Sequence, residues 1–321
     1  CGSLTNVMIP DGVTILGYGA FSGCSSLTSV TIPDSVISLG DWAFSGCRSL
    51  TNAVIGHSIT NIGYGAFSGC TSLGAITVAA ANPFFCSLDG VVFDQSMTAL
   101  IQCPGGKTGS YLVPHSVTRI EAAAFYECTS LSSVTIPDGT TNIGWHAFFS
   151  CTNLASVTIP NSVISIEAYA FLGCASLTNI TIPHSVTSIE DGVFSGCSGL
   201  TSIMLPDSIT RIEAYAFSGC TSLTNITIPD GVPNIGEATF RNCSSLTNVT
   251  IPDSVTSLGQ WAFSDCNRLI SVAIPHSVTN IGNGAFNACL GLTSIMVDAA
   301  NCFYSSVDGV LFDENQTTLI Q

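Results

Sequence analysis

Residues 24–46 read CSSLTSVTIPDSVISLGDWAFSG, and residues 1–23 before them read CGSLTNVMIPDGVTILGYGAFSG. The two lines agree position by position in Cys, Leu, Ile-Pro, Val, Ala and Phe. Cysteines that open such a line stand at 1, 24, 47, 70, 128, 151, 174, 197, 220, 243, 266 and 289, a spacing of 23 residues with one exception. The working consensus is C-x-x-L-T-N/S-V/I-T-I-P-D/H/N-S/G-V-T-S/N-I-G/E-x-x-A-F-x-x. Self-similarity at a fixed period of this size marks a chain that coils into stacked turns.

Each position has a physical task. The stretch LTNVTIP alternates and is β-branched, which predicts a short strand with Leu, Val/Ile and Ile on one side and Asn/Ser and Thr on the other. Proline has no N–H to give a ladder and ends it. DSVTSIG predicts a turn and a second extended piece, and xxAFSGC a compact helical or 3-10 turn with Ala and Phe inward. Stacked turns repeat about every 4.8 Å, so equal residues form columns: Leu at 4, 27, 50, 73, 131 and onward to 292, and Phe at 21, 44, 148, 217 and 286 among others. No turn can bury its inner face alone, so neighbouring turns must cover it.

These residues resemble the BspA-like leucine-rich repeat family, whose short units have the form L-x-x-V/I-x-I/L-P-x-x-V/I-x-x-I-G-x-x-A-F-x-x-C. The likeness recurs over nearly the whole chain. It implies a right-handed leucine-rich-repeat solenoid of about twelve turns with a parallel β-sheet on one face. It also implies surface or secreted proteins of bacteria and protists that bind host proteins, matrix or other cells.

The period fails between Cys70 and Cys128, which are 58 residues apart. The extra residues lie within VAAANPFFCSLDGVVFDQSMTALIQCPGGKTGSYLVPHSV, where DGVVFDQSMTALIQ predicts a hairpin turning near Asp94–Ser96. A second copy begins after Cys289, in VDAANCFYSSVDGVLFDENQTTLIQ. The expected organisation is one solenoid over 1–321, a hairpin insertion over 79–112 and the start of a second one over 298–321. Val91, Phe93, Leu100 and Ile101 need cover, which favours a hairpin that braces the turns over one that projects. The chain starts in phase without Met and stops inside the second copy, and is read as part of a longer protein.

Composition narrows the function. The formal charge is −15, with only six Lys and Arg residues. Such a surface repels nucleic acid and anionic lipid. Mean hydropathy is +0.50, yet no apolar run reaches the roughly 18–20 residues of a spanning helix, so this fragment should not insert in a membrane. GGKT at 105–108 lacks the earlier Gly of a phosphate loop, Ile101 standing there, and no long helix follows. Cysteines 23 residues apart do not form metal-site clusters. They read as a column of buried free thiols, with Cys86, Cys103 and Cys302 outside it. Histidines 57, 115, 184 and 276 fill the consensus slot after Pro (Gly56 replaces the Pro before His57), where most turns carry Asp, which suits a solvated turn row. The sequons at Asn179, Asn225, Asn242, Asn248 and Asn315 include three that follow simply from N-I/V-T in the strand. No nucleophile–base pair stands out, so the expectation is no enzyme.

Two surface features remain. Glu167, Glu190 and Glu213 occupy one slot on consecutive turns, and their repulsion would be relieved by Arg211 and a hard cation such as Ca²⁺, the only cofactor the sequence suggests. The two variable slots before Ala-Phe carry Tyr18, Trp42, Tyr64, Trp145, Tyr169, Tyr215 and Trp261. These are the anchors that strong interfaces favour and the candidate partner-binding surface. The function expected is a non-enzymatic interaction or adhesion scaffold, extracellular or on a cell surface, whose partners are proteins such as host extracellular or matrix proteins. The alternatives are a self-associating structural protein whose turns stack end to end, and a carbohydrate-binding module.

Overall fold

The computed structural model describes residues 1–320. The chain forms two compact units, Cys1–Ser162 and Val163–Gln321, and each is a parallel-strand β-solenoid. In the first, the strands Asn6–Met8, Ser29–Thr31, Asn52–Ile55 and Ala75–Val78 lie side by side. They pair in register, Val7 with Val30 and Ala53 with Ile76. A second row of two-residue strands begins with Ile15–Leu16, Ser38–Leu39 and Asn61–Ile62. In the second unit, Asn225–Thr227 pairs with Asn248–Thr250, and Ser271–Ile274 with Ser294–Val297. Its second row runs from Ser188–Ile189 to Asn280–Ile281.

Between the rows, each P-x-x-V closes a tight turn. Val13 N donates to Pro10 O at 3.2 Å, Val36 N to Pro33 O at 3.0 Å and Val278 N to Pro275 O at 3.2 Å. Proline serves here as the acceptor at the head of the turn, a role its missing N–H does not affect.

The Ala-Phe corner is not helical, contrary to the 3-10 expectation. Ala20 N, Ser22 N and Cys24 N donate to Gly17 O, Gly19 O and Phe21 O in their own turn, while Gly19 N, Phe21 N and Gly23 N cross to Asp41 O, Ala43 O and Ser45 O. A helix would need every amide to point along its own axis. Here alternate amides leave the turn, so the corner is a run of three tight turns, the first and last of which have a left-handed third residue, Gly19 (φ 58°) and Gly23 (φ 71°).

Inside, the expected columns are present. Phe44, Phe67, Phe125, Phe148, Phe171, Phe194, Phe217, Phe240 and Phe263 are fully buried. Their rings stack nearly parallel, with Phe44 and Phe67 centroids 5.3 Å apart and Phe217 and Phe240 5.5 Å. That is wider than the turn spacing, hence an offset stack, which aromatic quadrupoles prefer. The cysteines are free thiols. Most column thiols donate to the Phe carbonyl of the preceding turn, Cys47 Sγ to Phe21 O and Cys220 Sγ to Phe194 O, both at 3.2 Å. Burial pushes Cys197 and Cys243 up from the ordinary 9.0 to about 12.

The exceptional stretch holds three antiparallel strands, Phe85–Leu88, Val91–Asp94 and Ala99–Gln102. The 91–94 and 99–102 strands form the expected hairpin, and the 85–88 strand extends it. The 99–102 strand then pairs in parallel with Arg119–Ile120 and so joins the second row. Gly109–Leu112, at the end of the stretch, belongs to the first row and pairs with Leu131–Thr135. Val91, Val92, Phe93 and Leu100 are fully buried, so the hairpin packs as a brace. Cys103 stands in the Phe column: its N donates to Ala124 O as Phe44 N does to Ala66 O, and its carbonyl faces Cys128 Sγ.

Two asparagines clip the braces in place. Buried Asn82 donates from Nδ2 to Gly56 O (2.8 Å) and Ile59 O (2.9 Å) and accepts at Oδ1 from Phe84 N and Phe85 N. Asn301 repeats this on Pro275 O, Val278 O, Phe303 N and Tyr304 N. All four hydrogen-bonding valences of each amide are filled. The sequence reading passed over both, although the copies share Ala-Ala-Asn.

Two expectations follow. Asn82→Ala strands two carbonyls and two amides and should lower stability by about 3 kcal/mol, measured as a drop in urea midpoint; Asn301→Ala should match it. The thiols set an alkaline limit. A group whose folded value lies above its unfolded one stabilises fully below the unfolded value and loses that contribution as pH rises toward the folded one. The urea midpoint should therefore fall between pH 9 and 12, less so in Cys197→Ala relative to its own value at pH 8.

Candidate interaction surface

The variable slots before Ala-Phe are two different environments. The second is left-handed in every corner. It holds Gly19, Trp42 (φ 58°), Gly65, Ala123 and His146 (φ 54°) in the first unit, and Tyr169 (φ 58°), Gly192, Tyr215 (φ 58°), Ala238, Trp261 (φ 55°) and Gly284 in the second. A bulky side chain at positive φ is an outlier that costs energy, and glycine fills the same slot at four turns. Tyr18, Tyr64 and Trp145 lie in the first slot, which is not left-handed.

The left-handed rings lie over the neighbouring turn. A Cβ on Gly65 would come within 2.5 Å of Trp42 Cζ3, one on Gly192 within 2.5 Å of Tyr169 Cδ1, and one on Gly284 within 2.8 Å of Trp261 Cδ1. Large rings thus alternate with small residues. Arg241 stands 5.9 Å from the Trp261 ring, a cation–π contact. Tyr215 donates to Glu237 Oε1 at 2.7 Å, and that carboxylate raises the phenol pKa.

In the first unit the rings converge. Trp42 meets Tyr64 at 5.3 Å and Tyr126 at 5.1 Å, and Tyr64 meets Trp145 at 5.7 Å, all edge to face. Tyr126 stacks on Phe149 at 4.4 Å, and His146 packs against both. Burial lowers the His146 pKa to about 4, so the ring is neutral at pH 7. The hairpin turn makes this meeting geometrically available. Cys103 enters the Phe column without an A-F-x-x-C corner of its own, which lets Gly69 face Glu127 across the gap. Tyr18 stays 78% exposed at the margin. Tyr126 and Phe149 escaped the sequence reading; the signal was AFYEC and AFFSC where the recurring ending is AFSGC, found at four corners.

The acidic strip is arranged around Arg211, whose Nη2 lies 3.4 Å from Glu190 Oε1 and whose Nε lies 4.0 Å from Glu213 Oε1. Ser188 also donates to Glu190, and Glu167 lies one turn earlier. Among the described residues no three His, Cys, Asp or Glu side chains converge on a metal-sized point. Of the Asp–His pairs in the turn row, His57 lies 3.2 Å from Asp34 and His276 3.7 Å from Asp253. Among the described residues no helix is long and apolar enough to cross a membrane.

Turn length, parallel rows, buried Leu and Phe columns and an outward variable edge define a leucine-rich-repeat solenoid. The BspA type leucine rich repeat region matches in six copies, over residues 1–100, 107–220 and 193–307, and the chain belongs to that family. Its fold is similar to a leucine-rich repeat protein from Eubacterium ventriosum, at 25% identity and TM-score 0.68 over 82% of each chain. It is also similar to a leucine rich cell surface protein from Faecalibacterium prausnitzii, at 36% identity and TM-score 0.60, over 78% of this chain and 60% of that one. The pneumococcal vaccine antigen PcpA shares the fold at 22% identity and TM-score 0.58, over 80% of this chain and 63% of that one. No curated protein matches the chain.

The edge can be tested for its part in folding. Trp261→Gly relieves left-handed strain of about 1–2 kcal/mol and loses a half-covered ring, so stability should change by no more than about 1 kcal/mol. Phe263→Ala, in the column beside it, should cost about 3–5 kcal/mol. Thermal melts of the two variants distinguish an edge kept for folding from one kept for contact.

Proposed function

We propose that the chain is a non-enzymatic scaffold, secreted or at a cell surface, that binds proteins through its aromatic edge. The observation that carries this reading is the retention of Trp42, His146, Tyr169, Tyr215 and Trp261 in left-handed slots. Glycine fits those slots without strain and occupies them in other turns. Folding does not ask for these rings, and tryptophan and tyrosine are the side chains that anchor interfaces. The cell-surface description of the F. prausnitzii relative supports the location. The strand face offers less: its outward slots, such as Ser29 and Thr31 or Asn225 and Thr227, carry no aromatic or Arg anchor. A glycan reading gains little, because Trp42, Tyr64, Tyr126 and Trp145 meet edge to face and do not form one flat platform.

The test is binding of the full chain to a panel of immobilised extracellular matrix proteins and to a glycan array, alongside Trp42→Gly and Trp261→Gly. At least one protein ligand should bind and weaken tenfold or more with a variant that still melts like the parent. Ligand binding indifferent to both substitutions removes the aromatic edge from the account. Signal on the glycan array alone replaces it with sugar binding.

A further inference from the structure

The first-row sheet of the Cys1–Ser162 unit is interrupted. Ala75–Val78 ends one sheet and Gly109–Leu112 begins the next. Among the described residues no Cα of one strand lies within 8 Å of the other, where adjacent strands sit about 4.8 Å apart. The two edges are treated differently. The 75–78 edge is capped by the hairpin, Ile76 N donating to Gly90 O at 2.9 Å and Val78 N to Ser87 Oγ at 3.0 Å. The second brace caps its strand in the same manner, with Ile295 N on Gly309 O and Val297 N on Ser306 Oγ.

The 109–112 edge has no such cap. Val113 N donates to Thr135 O on the far side, and amides alternate along a strand, so those of Leu112 and Ser110 point into the gap. Tyr111 is buried, while Leu112 is 62% exposed. The gap is an open cleft of about 570 Å³ between this edge and the hairpin tip at Asp89. Its floor is bare: Gly74 stands where most other turns carry Thr, and a Cβ there would touch nothing within 4 Å. At its side stands Lys107, the only lysine in a chain of charge −15. Its ammonium donates to the Asp89 carbonyl at 2.8 Å and lies 5.0 Å from the Tyr111 ring. Among the described residues no carboxylate approaches it within 4.0 Å.

An uncapped strand edge is a template for another strand, and peptide recognition by strand addition uses such edges. A lone cation without a counter-ion beside the edge specifies an acidic group. We propose that this cleft binds an extended acidic peptide segment of a partner protein, which adds a strand to the 109–112 edge and places a carboxylate on Lys107. The site is separate from the aromatic edge and does not depend on it.

The experiment pans a displayed library of random octapeptides on the full chain and synthesises the enriched sequences. The peptides should carry Asp or Glu and slow hydrogen exchange at Ser110 and Leu112. Their Kd should rise at least tenfold with Lys107→Gln, with Leu112→Pro, and with a peptide N-methylated at alternate residues. Lys107→Gln leaves every backbone bond in place, and N-methylation acts on the peptide alone, so the result stands even if Leu112→Pro misfolds. Several outcomes would overturn the proposal. These are the enrichment of no peptide, binding that tolerates N-methylation, loss with Trp42→Gly but not Lys107→Gln, and full displacement by millimolar inorganic phosphate, which would mark a simple anion site.

Discussion

At each corner every second amide leaves its own turn and bonds the next. This alternation is the constraint on which the architecture depends. Gly19, Phe21 and Gly23 give their amides away to Asp41, Ala43 and Ser45, so a turn without a neighbour has three unmet donors as well as an uncovered Phe and Leu. The polar and apolar demands of a turn are met by the same partner at the same spacing. Left-handed residues accompany this alternation, two to a corner and four positions apart, as at Gly19 and Gly23, with the Phe between them on the ordinary side of φ. At most turns the column thiol completes the set by donating to the Phe carbonyl of the turn before.

The same constraint separates scaffold from surface. Inward positions are bound to their columns, and substitution there disturbs two interfaces. The left-handed slot points outward and needs only a backbone conformation, which glycine supplies most easily. Any larger residue there is free of the core and spends strain on being present. That is why the aromatic edge can differ from turn to turn while Ala and Phe beside it hardly change. In the first unit the missing corner at Cys103 adds proximity, drawing Trp42, Tyr64, Tyr126 and Trp145 into one cluster.

Much of this was legible in the repeat itself. Strands, proline turns and the Leu and Phe columns follow from alternation and period, because a column needs only equal spacing to form. The corner was misread as helical: Ala-Phe compactness suits a helix, and the contrary sign, Gly before six of the eleven cysteines that follow a corner, marks a left-handed residue whose partner slot is disguised by Trp, Tyr and His. Asn82 and Asn301 were invisible for another reason. Their work is on carbonyls 23 and 26 residues away, and a polar residue in an apolar run reads first as an interruption. The position of Cys103 in the Phe column could not be reached by counting, since the spacing around it fits no multiple of the period. The break between the 75–78 and 109–112 strands was equally hidden, because both read as ordinary strands.

The asparagine clips also bear on mechanical behaviour. Under tension, a solenoid of nearest-neighbour turns comes apart one turn at a time, each releasing roughly 80 Å of chain. Asn82 ties residues 84 and 85 to the loop at 56–59, so the brace and the turn beneath it share a four-bond knot that must open together. Such a pair would yield as one larger step at higher force. A chain with braces at intervals would thus unravel in graded stages and keep its braced turns intact under loads that strip the plain ones.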